Sequence, residues 1–280
     1  MNAAPDLLAL VLRLRALQDG VLPATTGHLV HGAFMALLAQ SPGAWDARLH
    51  NRNPQERPFT LSGLRGGPKA PGGQAPVLTI QAGAVYWFRL TSLVPDLSAV
   101  LLDLGAHPPR SLSLGGVALE ILGLTTDHDR GGQSSYAALS AACLEDPTPP
   151  PVLLGLRFLS ATTCRSQGRN QLFPLPGLIF PQLWRRWQLF APPASRLPPL
   201  TPADCEDTLM VAGYHLQTRH LRFGPQGQQL GFTGYCEYRA TPGAAPASLR
   251  LLHLLWQFSF FAGIGYGTPK GMGQVALVLP

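Results

Sequence analysis

Apolar and polar positions alternate along Val11-Leu12-Arg13-Leu14-Arg15, within an apolar run over 7–17, and this period of two predicts a first strand. Pro23 and Gly27 then bracket a turn, and Thr25 or Thr26 is placed to cap a helix over about 27–40. On that helix Leu29, Ala33, Phe34 and Leu37 form the apolar stripe, while His28, His31 and Met35 share another face at i, i+3 and i+7. Ser41-Pro42-Gly43 ends it. A polar, basic stretch over 48–57 leads into a strand over 58–64, and the Gly- and Pro-rich residues 66–76 predict a hairpin tip. A strand over 84–93, a helix over 95–104 and strand material over 117–125 follow.

Glu145-Asp146-Pro147-Thr148-Pro149-Pro150-Pro151 reads as a stiff linker that divides the chain into 1–145 and 152–280. Beyond it the same order returns: a strand over 152–163, a helix over 181–190, a proline-rich loop over 192–202, and strands over 209–222 and 229–238. A helix over 246–261 and a closing strand over 274–279 complete the series. Strand, helix, two strands, helix, strand is the βαββαβ unit with an antiparallel sheet. The expected class is therefore α+β, as two ferredoxin-like, RRM-like domains in tandem.

Composition narrows the function. With 46% hydrophobic residues the chain builds a sizeable core. No uninterrupted apolar run approaches the length of a membrane-spanning helix, so no membrane partner is expected. The first residues, Met1-Asn2-Ala3-Ala4-Pro5-Asp6, lack the basic flank of a secretory signal. Cys143, Cys164, Cys205 and Cys236 lie far apart with no CxxC pair, which argues against a zinc site and reads as free thiols in a reducing, cytoplasmic setting. The net charge of +6 favours an anionic partner. Only Lys69 and Lys270 are lysines, so nineteen of the twenty-one basic residues are arginine, whose forked guanidinium suits phosphate and stacks on bases. The excess lies in the second half: ten basic against nine acidic residues in 1–140, eleven against six in 141–280.

That half ends on Gly263-Ile264-Gly265-Tyr266-Gly267-Thr268-Pro269-Lys270-Gly271-Met272-Gly273, between the last helix and the last strand. Glycines this dense allow positive φ and close approach to the main chain, and Lys270 adds a charge. A P-loop is excluded because Gly271 follows the lysine, and a dinucleotide fingerprint because this loop runs from helix to strand. A glycine-rich connection with no ligand remains the alternative at this point.

The helix, Gly-Ile-Gly, lysine-bearing insert, Gly-Met-Gly and closing strand resemble the C-terminal motif of the RAMP superfamily, and within it the CRISPR-associated endoribonucleases that process repeat RNA. Three further segments carry the resemblance: Leu49-His50-Asn51 with Arg57-Pro58-Phe59-Thr60; Arg157-Phe158-Leu159-Ser160-Ala161-Thr162-Thr163 with Phe173-Pro174-Leu175-Pro176; and Gly231-Phe232-Thr233-Gly234-Tyr235 with Tyr238. It implies RNA cleavage by the adjacent 2′-hydroxyl without a metal, giving a 2′,3′-cyclic phosphate. Such chemistry needs a group to take the 2′-OH proton, one to protonate the 5′-oxygen, and positive charge at the phosphorane.

On this resemblance His50, in its polar loop, is the first choice for the catalytic histidine and His31 the second, with Arg57 or Arg52 at the phosphorane. Met35 stands where some members carry a helix tyrosine. His28 and His31 have no carboxylate nearby in sequence to complete a metal set, so no metal or cofactor is expected. Gly263, Gly265, Lys270, Gly271, Gly273, Arg52, Arg165, Arg169, Arg185 and Arg186 are the expected contacts to repeat RNA, precursor and mature, while Trp184 and Trp187 are expected in the core. Other subunits of a CRISPR effector complex are further candidate partners. Two readings compete: a RAMP-fold subunit that binds RNA without cutting it, and a ferredoxin-like protein whose glycine loop holds a nucleotide.

Overall fold

The computed structural model describes residues 4–41, 43, 45, 49, 56–68, 77–222 and 227–278. The chain divides into two compact units. The first comprises Met1–Gln133 with Arg222–Gln228 and Pro269–Gly271, and the second Ser134–Leu221, Gln229–Thr268 and Met272–Pro280.

In the first unit the sheet runs Phe59–Leu61, Val85–Ser92, Leu7–Ala16, Val117–Thr125, Ser111–Leu114, with each neighbouring pair antiparallel. Numbering the four strands of the βαββαβ unit in chain order gives 2-3-1-4, the ferredoxin-like arrangement. The expected alternation holds only at one end of the first strand. Leu7 to Leu12 are buried in succession, and Arg13 and Arg15 alone reach solvent. Gly27–Ala39 and Pro95–Ala106 are helices of this unit. Leu12, Leu14, Phe34, Phe59, Phe88, Leu90, Leu97 and Leu101 meet in one apolar core.

The sequence misplaces two helix-face residues. Met35, read onto the histidine face, is buried in the core, while Leu29, read into the stripe, is only partly buried. The buried face is centred on Val30, Phe34, Leu37 and Leu38, about a sixth of a turn from the expected stripe. Strands not foreseen also appear. Gly20–Pro23 pairs with Val77–Ile80, and Ser111–Leu114 folds back on Val117–Thr125 across Gly115 and Gly116, both at positive φ. Residues 69–76 of the expected hairpin tip lie outside the described residues.

The second unit repeats the order. Its sheet runs Leu209–Arg222, Gln228–Ala240, Leu153–Thr162, Val275–Val278, again 2-3-1-4 in chain order. The helix expected over 181–190 in fact spans Pro176–Phe190 and carries Pro181 inside it. A proline read as a helix start fits equally well at Pro176, the first helical position, where its missing N–H is not needed. The stretch read as loop over 192–202 passes into a short helix, Pro202–Thr208, held by a reciprocal cap between Thr201 and Asp204.

The contact division also differs from the boundary read from the proline run. Residues 134–150 pack with the second unit because Tyr136, fully buried, makes edge contacts with Trp187 at 4.8 Å and lies 5.8 Å from Phe258. Trp187 is fully buried, and Trp184 donates its indole N–H to Pro198 O at 2.8 Å. All four cysteines are buried and free, and burial raises each thiol pKa, to about 11 for Cys143 and Cys236 and about 12 for Cys164 and Cys205. No helix among the described residues is long and apolar enough to cross a membrane.

Candidate functional site

The first unit gathers three chain segments at the start of its first helix. Thr26 precedes the helix without capping it; its hydroxyl instead accepts the Leu64 N–H at 2.8 Å and ties the helix start to the segment after Phe59–Leu61. Ser62 forms a parallel bridge with Gly271, which brings the tip of the glycine loop to the same place. One turn into the helix, His31 lies stacked over Phe59, with ring centroids 6.0 Å apart and planes 14° from parallel. Phe59 is itself packed on Phe34, so the imidazole rests on the core.

Both ring nitrogens of His31 are engaged. Nδ1 lies 3.1 Å from the carbonyl oxygen of Pro269, and Nε2 lies 3.0 Å from a terminal nitrogen of Arg57. A carbonyl only accepts and a guanidinium only donates. The arrangement is therefore complementary to one state of the ring: neutral, with the proton on Nδ1 and the lone pair on Nε2. Arg57 is buried, and burial lowers its pKa below that of an exposed guanidinium. Chemically the group offers a fixed proton acceptor with a cation against it. Lys270, next in chain to Pro269, is exposed. His50 and Arg52 lie outside the described residues.

The glycines of the loop are occupied by the protein's own backbone. Gly263, Gly265, Gly271 and Gly273 all have positive φ, between 64° and 90°. A Cβ on Gly265 would stand 2.5 Å from Thr163 O, and one on Gly273 would stand 2.0 Å from Ile264 O. Backbone hydrogen bonds close the loop: Ile264 N to Gly273 O, Tyr266 N to Thr163 O and Gly273 N to Ala161 O, at 2.9, 2.8 and 3.1 Å. These residues thus have a reason to be glycine that involves no ligand.

Among the described residues the expected arginine contacts fall in the second unit and differ among themselves. Arg165 lies over the ring of Tyr266 at 3.8 Å, on the ribbon Cys164–Ser166 with Arg169–Gln171; Arg165 and Arg169 are both exposed. Arg185 is exposed and donates to Pro181 O at 3.4 Å. Arg186 turns inward, donating to the Thr268 hydroxyl at 2.7 Å, and burial lowers its pKa to about 10. Its bond fixes the loop residue just before Pro269, a structural role that a basic pair read as a solvated helix face does not reveal. The partnership of His31 with Pro269, 238 residues apart, left no local signal either.

Residues 156–275 match the family model for the CRISPR-associated endoribonuclease Cas6. No curated protein is matched by sequence. Among solved structures, a Cas6 product complex is 27% identical, covers 98% of this chain and 99% of that one, and superposes with a TM-score of 0.74. A substrate-mimic complex of the same Cas6 is 27% identical over 97% and 99% of the two chains, with a TM-score of 0.69. Thermus thermophilus Cas6 is 26% identical over 99% and 100%, with a TM-score of 0.70.

Proposed function

With this likeness to the Cas6 endoribonucleases as premise, we propose that the protein cuts precursor CRISPR RNA within its repeats by attack of the 2′-hydroxyl on the adjacent phosphate. The observation that carries the reading is the doubly bonded His31 ring. With its proton on Nδ1, Nε2 accepts the 2′-OH proton once the RNA hydroxyl displaces the Arg57 N–H. The freed guanidinium turns to the phosphorane, where a fixed cation in a dry setting stabilises the developing charge. His50 supplies the second proton transfer, to the 5′-oxygen, on the strength of its Leu-His-Asn setting. Lys270, one residue from the Pro269 carbonyl, meets a neighbouring phosphate, and Arg165, Arg169 and Arg185 extend the contacts along the repeat.

Cleavage of a repeat RNA is expected to proceed in EDTA, leaving a 2′,3′-cyclic phosphate and a 5′-hydroxyl. A strict requirement for Mg²⁺, or a 5′-phosphate on the downstream fragment, would sink this mechanism. Binding without cleavage under either condition would favour the RNA-binding subunit. A second expectation concerns affinity: Lys270→Ala weakens repeat binding and lowers the slope of log affinity against log salt by about one. His31→Ala leaves that slope unchanged, since a neutral imidazole releases no counterion. Equal slopes in wild type and Lys270→Ala would remove the lysine from the phosphate.

A further inference from the structure

The loop tip Pro269–Gly271 and the first turn of the helix Gly27–Ala39 approach too closely for a side chain to stand between them. A Cβ on Gly27 would be 2.0 Å from the Lys270 carbonyl oxygen and 2.9 Å from Gly271 Cα. From the other side, a Cβ on Gly271, whose φ is +90°, would be 2.9 Å from Gly27 Cα and 3.2 Å from Gly63 N. The obstacles are backbone atoms, which cannot swing aside as the end of a flexible side chain can. One residue before Lys270, the Pro269 carbonyl reaches His31 Nδ1 at 3.1 Å. His31 lies four residues beyond Gly27, one turn along the same face. The contact at Gly27 and the hydrogen bond at His31 are thus consecutive points of one backbone-to-helix seam.

We propose that Gly27 is a positioning residue for His31: the absence of a side chain there lets the loop tip close on the helix, and the closed tip fixes the imidazole as its Nδ1–H tautomer. In that state Nε2 keeps its lone pair towards Arg57 and the position from which a proton is taken. Without the carbonyl only the Arg57 N–H selects the tautomer, and that is the group the RNA hydroxyl displaces; the ring then also populates the form that presents an N–H at Nε2, where an acceptor is required. The catalytic consequence rests on the role of His31 proposed above; the tautomer does not.

The test uses the whole protein labelled with ¹⁵N-histidine, the His31 signals being assigned by their loss in His31→Ala. The wild type is expected to show a single Nδ1–H tautomer. Gly27→Ala is expected to show mixed tautomers at His31, and single-turnover cleavage about 10²-fold slower with repeat affinity retained, the scale of a displacement of about 1 Å. Gly32→Ala, on the same helix with nothing within 4 Å of the added Cβ, is expected to change neither. Gly271→Ala approaches the seam from the loop and is expected to reproduce the tautomer change. An Nε2–H tautomer in the wild type overturns the proposal, even where Gly27→Ala does not fold. So does a wild-type tautomer in folded Gly27→Ala. A tautomer that shifts as expected while His31→Ala cleaves normally upholds the seam and removes His31 from the chemistry.

Discussion

Replacing His31 by alanine is expected to slow single-turnover cleavage of repeat RNA by about 10²–10⁴-fold, the usual contribution of a positioned proton-transfer group. Affinity for the repeat should change little, because the ring is neutral and lies against Arg57 and a main-chain carbonyl. The loss then appears in the rate at saturating enzyme, as it does when an interaction made only in the transition state is removed. The substitution also strips the Pro269 carbonyl and an Arg57 N–H of a partner, at a cost of about 1–3 kcal/mol where such groups stay buried. Denaturant unfolding of the variant is therefore measured alongside. His50→Ala is the companion experiment, with a fall of similar order expected if it supplies the second proton transfer. A severe His50→Ala beside a normal His31→Ala would move the proton acceptor off the helix and into the polar loop.

The second large effect is on folding. Gly265→Ala and Gly273→Ala are each expected to destabilise the RNA-free protein by about 1–3 kcal/mol from backbone strain alone. The added Cβ would also press on Thr163 O or Ile264 O. Urea unfolding without RNA, compared with Gly32→Ala, reads this directly as a lower midpoint. A glycine loop whose open backbone waited for phosphates would behave differently: the apo protein would be as stable as wild type and only RNA affinity would fall. That outcome would restore the loop to a ligand cradle. The structure favours the first result, because the loop's hydrogen bonds run to Ala161, Thr163 and its own residues.

Periodicity and punctuation carried much of the fold. Alternation at Val11 to Arg15 and the apolar run after Thr26 each rest on local chemistry, and the strand Leu7–Ala16 and the helix Gly27–Ala39 appear where that chemistry puts them. The repeated element order was enough to expect two ferredoxin-like units, and the two sheets share one strand order. What failed did so for physical reasons. Met35 joined the core because the buried face of a helix is chosen by what packs on it, and the apolar stripe alone left more than one face available. The contact division falls at Ser134, ahead of the proline run, because the buried Tyr136 ring packs with the second unit, which linker composition does not show.

The candidate site divides along the same line. The sequence by itself determined the chemical inventory: a helix histidine, an arginine before Pro58-Phe59-Thr60, a lysine among glycines and an arginine-rich second half. These are properties of residue type and near-neighbour spacing. Only the tertiary structure decided that His31 has its Nδ1 on Pro269 and its Nε2 on Arg57, and that Gly27 makes room for Lys270. A tautomer is set by which groups face the two nitrogens, and here one of those groups is a carbonyl 238 residues away. Main-chain carbonyls are present at every position and carry no sequence signature, so nothing short of the folded chain distinguishes the one that matters.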